Sequence, residues 1–482
     1  MYDVRPVGYV TGLLLTALGA SMLVPFATDL VLDTGNAWAF FESAVVTALV
    51  GILTSIACSN GVKQRLSIQQ TFLMAVGVWL LLPAFGALPF WMGAVQAPYV
   101  DAMFEAMSGL TTTGATVFVG LDEMPAGLLV WRSMLQWFGG VGIIVVAMVF
   151  LPELRVGGMQ IFRSEGFDTM GKILPRAAEI ARQISIIYLG LTIACIIGYM
   201  LVGLSSFDAL NHAFTTVSTG GFSTRDASFG AFQGAPEYVS VVFIILASLP
   251  FVRYVQILAG SAEPLWRDAQ VRAFVGTVAF VTLAISLLRV GLLDEPTEPA
   301  FREALFNVTS ILSGTGYAST DYQLWGSLAV VVFFFLGLVG GCAGSTCCSI
   351  KIFRYQILFS AIVAQVRRIH SPNGLFAVRY EGRTVSEDVL NSVMAFFVMF
   401  TVSVGIVSVS LALTGLDVVT SLSGSAAALA NIGPGLGDII GPAGTYESLN
   451  DTAKWILTAA MLIGRLELMA VFVLFTRRFW VN

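Results

Sequence analysis

Six small residues, Thr111 to Thr116 (TTTGAT), interrupt a chain that is otherwise largely apolar. Similar runs follow at Ser218 to Phe222 (STGGF), Ser313 to Tyr317 (SGTGY) and Asn431 to Gly435 (NIGPG). Gly114, Gly220, Gly316 and Gly433 lie 106, 96 and 117 residues apart. Thr, Ser and Gly let a chain extend with its carbonyls uncovered, and Gly reaches backbone angles that other residues resist. The four stretches Thr112-Thr113-Gly114-Ala115, Ser218-Thr219-Gly220-Gly221, Gly314-Thr315-Gly316-Tyr317 and Asn431-Ile432-Gly433-Pro434 would form a ring of carbonyl oxygens around one axis. Such a ring replaces the hydration shell of a monovalent cation. One cluster alone would read as a turn or a close helix contact. Acids stand just beyond every run, at Asp122, Glu123, Asp226, Asp321 and Asp438, and an acidic mouth concentrates cations.

Two further features carry chemistry. Gly340-Gly341-Cys342-Ala343-Gly344-Ser345-Thr346-Cys347-Cys348 lies at the end of the apolar window 325–350, with Lys351 just beyond it. A run of small residues is a poor helix interior, so the stretch is either a tightly packed kink or a break. No His lies near these cysteines in the sequence, so no transition-metal site is expected. All five cysteines read as small buried thiols. Arg465 lies deep in WILTAAMLIGRLELMAVFVLF. A charge inside a membrane is expensive and faces a cavity or a partner. Glu467, two residues on, falls on a different helix face. Arg465 therefore pairs with another helix or faces the pore.

The elements that must position these residues are membrane helices. The 482 residues are 56% apolar and 11% charged, with mean hydropathy +0.83, whereas soluble domains carry roughly 25% charged residues. Apolar windows near 8–32, 38–58, 70–93, 127–151, 183–204, 236–260, 272–293, 325–350, 393–414 and 453–475 make ten candidate spans. Shorter helical stretches at 99–110, 205–216, 299–312 and 417–430 fall below the ~20 residues a span needs and suit re-entrant helices. Each runs into one of the small-residue stretches. The unit of long helix, short helix, small-residue run and helix recurs over 66–160, 176–265, 270–370 and 385–482, after an N-terminal hairpin at 1–60. Nine positions before each key glycine stand Glu105, Asn211 and Asn307, with Gly424 in the fourth unit. Internal repeats commonly place the functional site on their shared axis. Short helices would point their partly negative C-terminal ends at the ion.

With the N-terminus in the cytoplasm, 19 of the 25 Lys and Arg fall on the inner side. Arg132, Arg225, Arg289, Arg302 and Lys454 fall outside, and Arg465 lies within a helix. This obeys the positive-inside rule, with both termini inside and all four runs on the outer side.

At this level of detail the sequence resembles the Trk/Ktr/HKT superfamily of potassium transporters, and most closely its TrkH-type uptake subunits. The likeness rests on SGLTTTGAT (108–116), WRSMLQWFGGVGIIV (131–145), TTVSTGGFST (215–224), SGTGY (313–317), GGCAGST (340–346), ANIGPGLG (430–437) and GRLE (464–467). The resemblance implies an all-α integral membrane fold of four pseudo-symmetric membrane-pore-membrane repeats around one pore, plus the N-terminal hairpin. It implies a homodimer in a bacterial plasma (inner) membrane, with a cytoplasmic nucleotide-binding regulatory ring of the TrkA type. It implies that potassium is the transported ion, bound at the filter, with no prosthetic group. Relatives that pass sodium can carry serine at the first filter glycine, whereas this chain has Gly114. By this resemblance the segment Gly340 to Cys348 would be an intramembrane loop that blocks the pore below the filter. Relatives usually have Gly-Gly where this chain has Cys347-Cys348, which would make gating thiol-sensitive. Arg465, assisted by Lys351, would place positive charge in the permeation path.

Other classes fit less well. Only two histidines, His212 and His370, are present, with no GxSxG or HExxH motif, so no hydrolytic enzyme can be assembled. No basic face or arm offers itself to nucleic acid. Within transport, the alternatives are coupling to sodium or protons and a nonselective or sodium-passing filter.

Overall fold

The computed structural model describes residues 3–61, 67–145 and 174–481. The inner-side charges Lys63, Arg65, Arg155, Arg163 and Lys172, and the end of the first repeat, lie outside the described residues. Among the described residues the fold is mostly helical. Its sheet among the described residues is one hairpin, Arg379–Tyr380 antiparallel to Arg383–Thr384, turned by Glu381 and Gly382 at positive φ.

Among the described residues six helices are long and apolar enough to cross a bilayer: Arg5–Leu32, Ala37–Cys58, Ile68–Met92, Ala181–Leu201, Ala269–Leu292 and Glu387–Ala412. Two bent pairs would bring the total to eight among the described residues. Ala126–Val145 and Ser327–Leu338 occupy the two remaining windows of the expected ten. The long helices expose much of their apolar surface, as lipid-facing helices do; in Glu387–Ala412 only 22% of the apolar window is buried. The four short helices, Tyr99–Leu110, Ser206–Val217, Thr297–Ser313 and Val418–Ala430, are the reverse. Every residue from Ala102 to Leu110 is buried, polar Glu105 and Ser108 included. These helices form the centre, and the spans form the wall around them.

Two spans expected to be continuous are broken, and the glycine-rich stretch breaks a third. Ala235–Ser248 and Phe251–Leu258 meet at 88°, across Leu249 and Pro250. Proline has no N–H and clashes with the preceding turn, so the helix cannot run through it. Asp451–Arg465 and Met469–Phe475 meet at 104°, with Glu467 and Leu468 at φ 60° and 46°. Ser327–Leu338 stops at the glycine-rich stretch, and the chain resumes helix at Ile352–His370. All three breaks converge on one place, described below.

The N-terminal hairpin packs through small residues. A Cβ on Gly12 would meet the Gly51 carbonyl at 2.7 Å, and one on Gly19 would meet the Ala48 N–H at 2.7 Å. Close backbone approach of this kind is how helices associate where lipid removes the hydrophobic drive. Buried Asp29 ties the hairpin to the rest by accepting from Gly127 N at 2.6 Å and Asn36 Nδ2 at 3.1 Å.

Candidate ion pathway

The four short helices end in the same way. Thr112, Thr219 and Asn431 take left-handed angles, with φ of 51°, 51° and 52°, and Gly314 takes 80°. The next N–H then reaches back to the helix: Thr113 to Ser108, Gly220 to Thr215, Thr315 to Ser310 and Ile432 to Ala427, at 2.8–2.9 Å. Such C-caps satisfy carbonyls that the last turn leaves bare. They also set the register. Gly114, Gly221, Gly316 and Gly433 are equivalent positions, so the equivalence drawn through Gly220 is off by one residue. STGGF holds two adjacent glycines, and only the backbone shows which one turns. Gly221 has φ 81°, beside 83° for Gly114 and 81° for Gly316. Gly433 is the exception without a positive φ; Pro434 follows it and disfavours the helical region for the residue before it.

The four stretches close on one another. A Cβ on Gly114 would fall inside 3.0 Å of the Gly220 carbonyl oxygen, and one on Gly221 inside 3.0 Å of the Thr315 oxygen. A Cβ on Gly316 would meet Gly433 N at 2.8 Å, and one on Gly433 the Gly114 oxygen at 2.9 Å. Backbone therefore packs on backbone from first to second to third to fourth and back to the first. Side chains close the seams: Asn431 Nδ2 donates to Thr113 Oγ1 at 3.0 Å, and the Tyr317 hydroxyl meets Thr215 and Thr216.

On one side the ring opens into a recess lined by all four stretches. On the other side sits the loop from Gly340 to Lys351, buried except for half-exposed Ser349. Its Cys342 and Thr346 N–H groups donate to the Ser248 and Ala247 carbonyls at 3.2 and 3.3 Å. Those carbonyls are left without helical partners by the break at Pro250. Ser349 N donates to Ala430 O at 2.9 Å, and Ala343 N to Gln270 Oε1 at 2.8 Å. Cys348 lies against the ring itself. Its Sγ is 3.4 Å from Thr112 Oγ1, and its Cβ would stand 3.1 Å from a Cβ on Gly314. Arg465 donates to Cys348 Sγ at 2.8 Å and to Gly139 O at 3.2 Å. Lys351 Nζ donates to Cys347 O.

The family model described as TrkH, cation transport protein, matches residues 37–480. The chain belongs to the TrkH family. The Trk system potassium uptake protein TrkI of Halomonas elongata is 39% identical over 98% of this chain and 96% of its own. The corresponding TrkH proteins of Vibrio parahaemolyticus and Escherichia coli K12 are 36% and 35% identical, each covering 99% of both chains. The crystal structure of the potassium transporter TrkH from Vibrio parahaemolyticus superposes with a TM-score of 0.91 at 34% identity, over 99% of each chain.

In this TrkH-family chain the corrected register reassigns the residues behind the ring. Glu105, His212 and Asn307 are now equivalent. Glu105 accepts from Thr116 Oγ1 and Val117 N, His212 Nε2 meets Ser223 Oγ at 3.0 Å, and Asn307 bonds Ser319. Each pins the strand that leaves the ring back onto its own short helix. Asn211 instead accepts from Ser133 at 2.6 Å. Gly424 has no side chain to offer, and Ser423 takes over by accepting from Leu436 N at 2.9 Å.

The outer charges differ from expectation. Arg132, Arg289, Arg302 and Lys454 are buried and paired, with Glu105, Glu295 and Glu303, Glu237 and Glu298, and Asp101 respectively. Of the acids, Asp226 lines the recess, but it also holds Gly120 N and Leu121 N at 3.1 and 3.0 Å. Asp122 pairs with Arg225, whose guanidinium is raised above its ordinary value by that hydrogen bond. Arg132 and Arg225 share the lining with Asp226, so the mouth is a mixed network rather than an acidic rim.

Two positions escaped sequence reasoning altogether. Gln136 grips the second stretch, donating to Gly220 O at 2.6 Å and accepting from Phe222 N at 3.0 Å. Arg354 pairs with Glu467, giving that acid a partner on another helix. The signal for Gln136 was a lone amide in an apolar helix; for Arg354 there was none, because the sequence places it beside the inner loops. Arg132 joins two stretches at once: it bonds Glu105 at 2.7 Å, Ser223 O at 2.8 Å and Thr116 Oγ1 at 3.2 Å. Arg132→Met is expected to strand a buried carboxylate and cost roughly 3–5 kcal/mol. Thermal unfolding in detergent checks this, and the double variant Arg132→Met/Glu105→Leu should recover part of the loss.

Proposed function

We propose that this chain is the ion-conducting transmembrane subunit of a Trk-type potassium uptake system. The carrying observation is the closed ring of four backbone stretches with Cys348 seated on one face. In this reading the ring is a selectivity filter, formed by Thr112 to Ala115, Ser218 to Gly221, Gly314 to Tyr317 and Asn431 to Pro434. The short helices, ending at the ring, turn their partly negative ends toward the ion. The loop Gly340 to Cys348, with Lys351 and Arg465, is the gate, and the structure is read as its closed form. The names of the relatives, all potassium uptake proteins, support potassium as the ion. Glycine at the four equivalent positions favours potassium over sodium.

The four units 66–160, 176–265, 270–370 and 385–482 act as repeats around the pore, with 1–60 as a separate hairpin. The chain sits in the bacterial inner membrane with both termini cytoplasmic. Burial of four of the five supposed outer cations supports that orientation, since it leaves the outer loops still poorer in positive charge. Working as a homodimer with a TrkA-type regulatory ring is carried over from the family resemblance.

Rubidium uptake into liposomes holding the purified chain tests the proposal. Competition by potassium and little by sodium is expected, whereas equal competition would overturn the selective filter. Because Cys348 touches the ring, a small methanethiosulfonate reagent is expected to abolish flux in wild type and spare Cys348→Ser. Equal sensitivity of both would remove Cys348 from the path.

A further inference from the structure

An apolar cavity of about 490 Å³ lies between Arg5–Ser21, Ile68–Gly86 and Ala126–Val145. Leu14, Leu18, Val78, Trp79 and Phe138 line it, and so does Leu110, the last residue of the first short helix. The one hydroxyl in its wall, Ser21, is already spent on Leu18 O at 2.7 Å. Packed interiors leave few voids larger than a water, and apolar voids stay dry. A space of this size matches those that hold ligands of roughly 300–1,000 Å³.

What surrounds the cavity indicates its occupant. Leu14 lines it while remaining 39% exposed, and its neighbour Leu13 is 48% exposed. On the facing helix Leu80 and Leu81 are 46% and 39% exposed. These are lipid-facing side chains, so the cavity is continuous with the surface that meets the hydrocarbon core. No charged side chain lines it.

We propose that this cavity takes one acyl chain of a bilayer phospholipid. The chain would lie on Trp79, whose ring is 5.6 Å from the Arg465 guanidinium. A guanidinium near an indole face is held by its quadrupole. Lipid in the cavity therefore braces the residue that supports Arg465 beneath the ring. Occupancy itself does not depend on the functional reading above; its effect on flux does.

The test uses the full chain reconstituted with a phospholipid carrying a diazirine at the end of one acyl chain. After irradiation, label is mapped by mass spectrometry. Label on Met74, Ala75, Val78, Trp79, Phe138 and Val141 is expected, with its loss in Ala75→Phe, which fills the cavity. Ala17→Phe, from the opposite wall, serves if Ala75→Phe does not fold by thermal unfolding. Label confined to Leu13, Leu80 and Leu81, or cavity label that persists in a folded filled variant, overturns the site. An unlabelled cavity in wild type also overturns it. Rubidium flux of the filled variant is expected to differ several-fold from wild type. Unchanged flux with labelling lost would overturn the link to Arg465 and leave the lipid site standing.

Discussion

Gly114→Ser is expected to lower potassium-over-sodium preference by about tenfold, and to lower flux with it. Gly114 has φ 83°, where a side chain is strained by about 1–3 kcal/mol. Its new Cβ would also fall inside 3.0 Å of the Gly220 carbonyl oxygen. That oxygen is held from behind by Gln136, so it cannot retreat without losing a hydrogen bond. The ring must therefore widen or shift at this seam, and a difference of 1.4 kcal/mol between two ions is a factor of ten. Competition of sodium against rubidium uptake measures it. Gly221→Ala is expected to behave in the same way, because Gly221 holds the equivalent place against Thr315. A variant with unchanged ion preference would sink the filter assignment at Gly114.

Arg465→Ala should raise flux by about tenfold while keeping ion preference. The guanidinium donates to Cys348 Sγ, which rests against Thr112, and to Gly139 O. A hydrogen bond from a charged group contributes about 1.5–3 kcal/mol. Removing it releases the loop from the helix that holds it under the ring. The ring lies on the other side of Cys348 and keeps its own bonds, so selectivity should survive. Rubidium uptake with potassium and sodium as competitors separates the two effects. Reduced flux in a variant that unfolds at the wild-type temperature would count against the gate. Lys351→Ala is expected to act in the same direction and more weakly, since Lys351 bonds the loop's Cys347 carbonyl and not the residue under the ring.

Much of this arrangement was legible in the residues. Composition and the apolar windows marked a membrane protein, because a bilayer demands about 20 apolar residues per crossing. The four small-residue runs marked where irregular backbone enters the membrane, which is tolerated only inside protein or beside water. The short helices were visible because they are too short to span. Arg465 stood out because charge at that depth needs a reason.

The tertiary structure decided what periodicity and composition cannot encode. Hydropathy sees 236–260 and 453–475 as single spans, yet backbone breaks at Pro250 and at Glu467-Leu468 turn them aside. The free carbonyls at the first break become the seat of the loop from Gly340 to Lys351. Gly220 and Gly221 are indistinguishable in sequence; the left-handed angle and the C-cap bond select Gly221. Arg132 and Lys454 read as outer charges from their places along the chain, and burial with Glu105 and Asp101 shows them to be internal pairs. Sequence alone determined the solvent the helices face and the small residues that allow close backbone packing. Which backbone packs on which was decided by contacts between stretches about a hundred residues apart, because no local signal records a neighbour across the ring.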